Sequence, residues 1–290
     1  NYSVNLPPVP PPPITYDYYI ATVANGGSDS NPGTQAQPWA TLQKAANTLV
    51  AGQSVGVGDG AYVSFSTGAN GSAGSQIVFK SINKWGAHIS DSTVDDVLIQ
   101  HDYVTVEGFE VSGALPISGG AAGIEVASGK TGAIIRKNKI HDIGRQSYAA
   151  GFGLNGIYIE NSTNAIIERN IVYDIGRTSA EPHTNDHGIY VAATTNGLII
   201  RNNIIYKCRR GWAIQLKGTT NTTKVLNNTL VYANPTSSGV LVFDTGAMTP
   251  VDVANNIMTG PPDGAIFYFG GSYTSVTIRN NLTDNTTMHD

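Results

Sequence analysis

Imidazole, guanidinium, phenol and ammonium groups gather in neighbouring stretches of this 290-residue chain. HDIGRQSYAAGFGLN (141–155) carries His141, Arg145 and Tyr148, and YDIGRTSAEPHTND (173–186) carries Arg177, Glu181, His183 and Asp186. Each runs into a β-type segment, NGIYIE with Tyr158 and HGIYVA with Tyr190, the second preceded by His187 and followed by RRGWAIQLKG with Arg209, Arg210, Gln215 and Lys217. Together these groups could carry out β-elimination of a uronic-acid polymer. A cation neutralises the carboxylate and acidifies the carbon-5 proton, a base removes that proton, and an acid protonates the leaving oxygen 4. Arg210 or Arg177 is the expected partner of the carboxylate, His187 or Lys217 the base, and Tyr190 the acid. Glu125, Tyr158, Gln215, Arg177, His183 and Arg145 are the expected substrate-binding residues, with tyrosine faces lining a carbohydrate cleft.

These residues become neighbours only if the segments recur in space as they do in sequence. From residue 121 the chain divides into AAGIEVASGKTGAIIRKNKIHD, NGIYIENSTNAIIERNIVYD, HGIYVAATTNGLIIRNNIIYK, WAIQLKGTTNTTKVLNNTLVY, GVLVFDTGAMTPVDVANNIM and AIFYFGGSYTSVTIRNNLTD. Each unit reads strand, turn, strand, Asn, strand. The anchors Ile124, Ile157, Ile189, Ile214, Val240 and Ile266 lie 33, 32, 25, 26 and 26 residues apart, and Asn138, Asn170, Asn203, Asn228, Asn256 and Asn281 keep nearly the same step. So short a unit cannot bury its apolar face alone, whereas stacked coils pair every strand with its equivalent above and below. The expected fold is all-β, a single-stranded parallel β-helix solenoid of about eight coils at roughly 4.8 Å each. The two long stretches above then fall at one position of successive coils and form a single wall.

Stacking also turns scattered positions into columns. One outward column reads Gly123, Gly156, Gly188, Ala213, Gly239, Ala265, either a strip for a sugar chain or a corner that needs glycine. The next reads Glu125, Tyr158, Tyr190, Gln215, Leu241, Phe267, and a third Ala127, Glu160, Ala192, Lys217, Phe243, Phe269. Strict alternation from Ile189 turns His187 inward with Asn155 and Trp212, unless a corner intervenes. The asparagines suit a hydrogen-bonded ladder at a bend, with a backbone that tolerates left-handed geometry. Arg136, Glu168 and Arg201 read as a surface ion-pair ladder.

Residues 38–50 (PWATLQKAANTLV) place Trp39, Leu42, Ala46 and Leu49 at helical spacing behind Pro38, which predicts a short capping helix on the open end of the stack. Six prolines in residues 1–14 predict an extended linker, with 15–290 as the β-helix domain of a longer, multidomain protein. Lys plus Arg is 17 against 21 Asp plus Glu, a net charge of −4 with no basic block, so nucleic acid is not an expected partner. No stretch reaches the length of a membrane-spanning apolar run and the residues from Asn1 do not read as a basic-then-apolar signal segment, so a soluble, mature chain is the expectation, and the lone Cys208 reads as a buried small hydrophobe. A polysaccharide is the expected partner of a secreted monomer.

The opening YYIATVANGGSDSNPGTQAQPWATLQKAANTLVAGQSVGVGDGAY, with the repeats NDHGIYV and GWAIQLKG, each followed by RNN or LNN, resembles the right-handed parallel β-helix proteins of the pectate lyase-like superfamily. The likeness covers roughly residues 17–285. It implies a right-handed coil, a helix capping the stack, and secreted polysaccharide chemistry by a lyase, an epimerase or a hydrolase. The scaffold carries several reactions and some pure binding modules. The chain lacks an aspartate cluster like the calcium site of the pectate lyases, and nothing matches the Lys and Arg pair of the chondroitinase-type and alginate lyases. Calcium would have to use Asp174, Glu181 and Asp186. A lyase is the leading expectation. The alternatives are a hydrolase drawing two carboxyls from Glu125, Glu160, Glu181 and Asp186, a carbon-5 epimerase, and a non-catalytic carbohydrate-binding rod.

Overall fold

A computed structural model describes residues 14–90, 95–113, 120–144, 153–177, 185–208, 210–231, 240–244, 246, 249–259, 264–269, 275–284 and 288–289. Within them the chain winds through three parallel sheets of ten, nine and nine strands. Face A includes Val104–Glu107, Ile134–Arg136, Ile166–Glu168 and Ile199–Arg201. Face B includes Lys139–His141, Ile171–Tyr173 and Ile204–Tyr206, and face C includes Ala121–Val126, Leu154–Glu160, Ile189–Ala192, Ile214–Lys217 and Leu241–Asp244. Each coil visits C, A and B in turn, and each strand pairs with its equivalent on the next coil. The solenoid expectation holds, but the stack exceeds eight coils because Phe65–Ser66 and Met288–His289 extend face C at its two ends.

Ile and Val fill the axis because each strand points alternate side chains inward, where neighbours from three faces meet. Ile124, Ile157, Ile189, Ile214 and Leu241 stand in register, and each is fully buried. Burying a side chain of this size is worth about 1.5–3 kcal/mol. The fifth anchor is therefore Leu241, not Val240. That one-residue slip turns every following side chain to the opposite face. Phe243 goes into the core, and Val242 and Asp244 take the outer places expected for Leu241 and Phe243.

The small column faces the core instead of solvent. A Cβ on Gly123 would lie 2.7 Å from Ile140 Cγ2, and one on Gly156 2.5 Å from Val172 Cγ1. Ala213 and Ala265 are buried in the same column. Neither Gly123 nor Gly156 has a positive φ, so glycine is required here for space. Because the glycine and the Ile after it both point inward, alternation breaks at this corner. Asn155, His187 and Trp212 thereby come to the outer side.

The asparagine ladder is present. Asn203 Nδ2 donates to Asn228 Oδ1 at 3.0 Å and to Ile167 O at 3.0 Å, while Asn203 Oδ1 accepts from both Asn170 N and Asn170 Nδ2. The left-handed backbone sits one residue earlier than expected, at Lys137, Arg169, Asn202, Asn227, Asn255 and Asn280, with φ of 54–59°. Arg136, Glu168 and Arg201 stand in the expected column on face A, but the ion pairs are Arg136 with Glu107, a residue outside the three expected from sequence, and Arg201 with Glu168, and both carboxylates are buried.

The helix α1 spans only Leu42–Ala46, with Thr41 as its N-cap accepting from Lys44 N at 3.1 Å. Pro38 and Trp39 lie outside it because Trp39 pairs its backbone with Tyr19 and Ala21 as an extended residue. Leu42, Ala45, Ala46 and Leu49 are buried and cover the first coils as a lid. Cys208 is buried, as expected. The prolines of residues 1–13 lie outside the described residues.

Candidate functional site

Register on face C places Glu125, Tyr158, Tyr190, Gln215 and Val242 in one outer column. Two residues further along the strands, Glu160 stands beside Ala192, and Lys217 beside Asp244. The Tyr158 and Tyr190 rings stack at 5.4 Å with 21° between planes. They cover each other's faces, so the column offers a sugar ring edges and hydroxyls, not the flat faces expected from sequence. Glu125, Asn155, Tyr158 and Tyr190, with Gly120, Ala121 and Gly153, line a cleft of about 240 Å³.

His187 packs against this column from beneath. Its ring lies 5.2 Å from that of Tyr190 and stacks on Trp212 at 5.0 Å and 7°. Asn155 Oδ1 accepts from His187 N, and His187 Nδ1 accepts from Trp212 N at 3.1 Å. The proton of the neutral ring therefore sits on Nε2. Burial, followed by the charge of Lys217, lowers the His187 pKa to about 3.

The two ends of the column differ in charge. Glu125 is pushed up to about 7 by burial, by its hydrogen-bonded neighbour Asp95 and by Glu160. Asp95 is itself raised by burial, while its Oδ1 accepts from Ala122 N at 2.6 Å. At the other end Lys217 Nζ lies 3.3 Å from Asp244 Oδ2, with its side chain 46% exposed. Asp244 Oδ2 also accepts from Gln215 Nε2 at 2.9 Å. Burial raises the Tyr190 phenol, Lys217 pulls it part of the way back, and Asp244 and Glu160 add to the rise. Tyr158 is raised to about 12, chiefly by burial.

Of the residues singled out from sequence, Glu125, Tyr158, Tyr190, Gln215, Lys217 and His187 come together. Arg177 does not join them freely, because its guanidinium grips Asp186 through Nε at 3.1 Å and Nη2 at 2.7 Å, both groups buried. Arg210 is buried on the coil of Lys217. Arg145, Tyr148, Glu181, His183 and Arg209 lie outside the described residues. His141 faces away on face B, between Glu110 at 2.9 Å and Asp142 at 2.7 Å, and stacks on Tyr173. Of the three candidate calcium donors, Asp186 is occupied by Arg177 and Leu154 N, Asp174 lies 3.5 Å from Lys207, and Glu181 lies outside the described residues. Among the described residues no three His, Cys, Asp or Glu side chains converge for a metal. Asp95 and Asp244 were missed. Asp244 was hidden by the slip at Leu241, and Asp95 lies in the weakly repetitive part of the chain.

Residues 75–283 match the family described as right handed beta helix region. The chain belongs to the right-handed β-helix family. The resemblance to pectate lyase-like β-helix proteins thus holds for its fold. No curated protein matches by sequence. Among solved structures this β-helix is similar to an alginate lyase from Paenibacillus sp. str. FPU-7, at 18% identity over 85% of this chain and 94% of that one, with a TM-score of 0.64. It is also similar to the pectate lyase Pel9A, at 13% identity over 93% and 78% with a TM-score of 0.60. A rhamnogalacturonan lyase gives 18% over 87% and 72%, with a TM-score of 0.56. Among the described residues no helix of this β-helix protein is long and apolar enough to cross a membrane.

Proposed function

We propose that the protein is a secreted carbohydrate-active enzyme, a lyase that cleaves an acidic polysaccharide by β-elimination in the face C cleft. The observation that carries this reading is a half-buried phenol, Tyr190, in the field of an ammonium, Lys217, on the open column of a rigid stack. Fold likeness to alginate, pectate and rhamnogalacturonan lyases supports it. Lys217, held by Asp244, meets the uronate carboxylate and stabilises the charge that develops at carbon 5. The Tyr190 phenolate takes the carbon-5 proton. The electron pair forms the double bond between carbons 4 and 5, the bond from carbon 4 to oxygen 4 breaks, and the new phenol returns its proton to that oxygen. His187 acts as a positioning residue, since its Nδ1 is filled by Trp212 N–H and its ring supports Tyr190.

Hydrolysis is less well supported. A hydrolase needs two carboxyls about 5–9.5 Å apart; of those named from sequence, Asp186 is held by Arg177 and Leu154 N and Glu181 lies outside the described residues, which leaves only Glu160 and Glu125, the latter hydrogen-bonded to Asp95. The test is incubation with alginate, pectate, glucuronan and glycosaminoglycans, read by ultraviolet absorbance of the unsaturated product. Tyr190→Phe should lose about 10²- to 10⁴-fold in rate, and wild-type activity should rise into the alkaline range because the phenol is raised. New reducing ends without unsaturation would refute elimination, and deuterium uptake without chain shortening would identify an epimerase instead.

A further inference from the structure

Resting on the elimination reading for the place of the reacting unit, we propose that the Glu125 end of the cleft is a subsite for an uncharged sugar. The substrate is then a heteropolysaccharide in which a neutral glycosyl unit lies three units from the uronate that Lys217 receives.

Coils rise by roughly 4.8 Å, close to the length of one glycosyl unit, so a polymer lying along the column passes about one sugar per coil. Glu125 stands two coils from Tyr190 and three from Gln215 and Lys217. The cation that can receive a uronate lies at the Lys217 end. At the other end the groups acting on Glu125 are Asp95 and Glu160, both acidic. Asp95 and Glu125 are hydrogen-bonded to each other and Glu160 stands one coil on, so that end presents carboxyl groups and no cation among the groups acting on Glu125. A carboxylate placed there would meet like charge in a half-buried cleft, where screening is weak.

Hydroxyl groups suit the same place. The Asp95–Glu125 pair and Glu160 accept from sugar O–H groups. Asn155, whose Oδ1 is held by His187 N–H, keeps its Nδ2 to donate to a sugar oxygen. Gly120, Ala121 and Gly153 let the ring approach the wall closely. Discrimination therefore comes from charge, through Glu125, and not from ring stacking.

The test uses the whole chain. Affinity electrophoresis through gels containing polymannuronate, polygalacturonate or an alternating uronate–hexose polymer gives binding, and ultraviolet absorbance gives initial rates. The alternating polymer should bind at least tenfold more tightly and be cleaved faster. Glu125→Lys should abolish or invert that preference, and the isosteric Glu125→Gln should narrow it if the lysine variant fails to fold. Equal or tighter binding of a homopolyuronate overturns the subsite, with or without added calcium, which would signal cation bridging. A preference unchanged in the Glu125 variants overturns it as well, and so does absence of retardation by any polymer. Preferential binding of the alternating polymer with no cleavage would support the subsite and refute the elimination reading.

Discussion

His187 shows how much a single corner decides. The glycines at 123, 156 and 188 break strand alternation, and the imidazole moves from the expected interior to the underside of the cleft. Its pKa of about 3 in the folded chain compares with about 6.5 when unfolded. Between those values the unfolded chain binds the extra proton, so this group's contribution to stability is present above about pH 6.5 and is lost as pH falls toward 3. His187→Asn keeps an acceptor for Trp212 N–H, as Asn155 does for His187 on the coil below. The variant should therefore lose less Tm than wild type between pH 6.5 and 4. Equal slopes would contradict a sealed neutral ring. Tyr158, Tyr190 and Lys217 were legible in sequence because residue type and strand position suffice to find them. Asp244 was not, because Val240 and Leu241 are both apolar and periodicity alone does not choose between them.

At the level of the coil, adjacent asparagines do different work. In Asn202-Asn203 the first takes the left-handed turn, with φ of 57°, and the second joins the buried ladder. Asn202→Gly should leave stability within about 1 kcal/mol of wild type, since glycine accepts that conformation without strain. Asn203→Ala leaves Asn170 N without its acceptor and takes the Nδ2 donor from Ile167 O, while Asn228 Oδ1 keeps only Asn203 N. At about 1–3 kcal/mol for each buried group left alone, the loss should far exceed that of its neighbour. Denaturant unfolding of both variants measures the contrast, and similar losses would show that the ladder is not what holds the bend. The sequence showed an asparagine column and a need for left-handed backbone, but both roles were given to one residue. Distinguishing them takes the hydrogen-bond partners, which lie a full coil away.

Across the whole molecule, stability is a sum of coil-to-coil contacts, so the ends matter more than in a globular core. The N-terminal end is closed by α1, with Leu42 and Leu49 buried against the first coils. Leu42→Ala should cost about 2–5 kcal/mol. Hydrogen exchange should then show the coils at residues 54–89 opening before those at 121–217, and uniform opening would argue against a cap that acts locally. Period and strand pattern made the solenoid legible, since few architectures repeat every 25 or so residues with three short strands. Its ends were less legible because terminal coils depart from the repeat that reveals the rest. One interior residue offers a further use of this architecture. Cys208 lies buried beneath Gly188, on the turn between the coils bearing Tyr190 and Lys217. Its burial makes it a native reporter: the rate at which an external thiol reagent reaches it gauges how often that turn breathes, and an oligosaccharide seated above should slow the labelling.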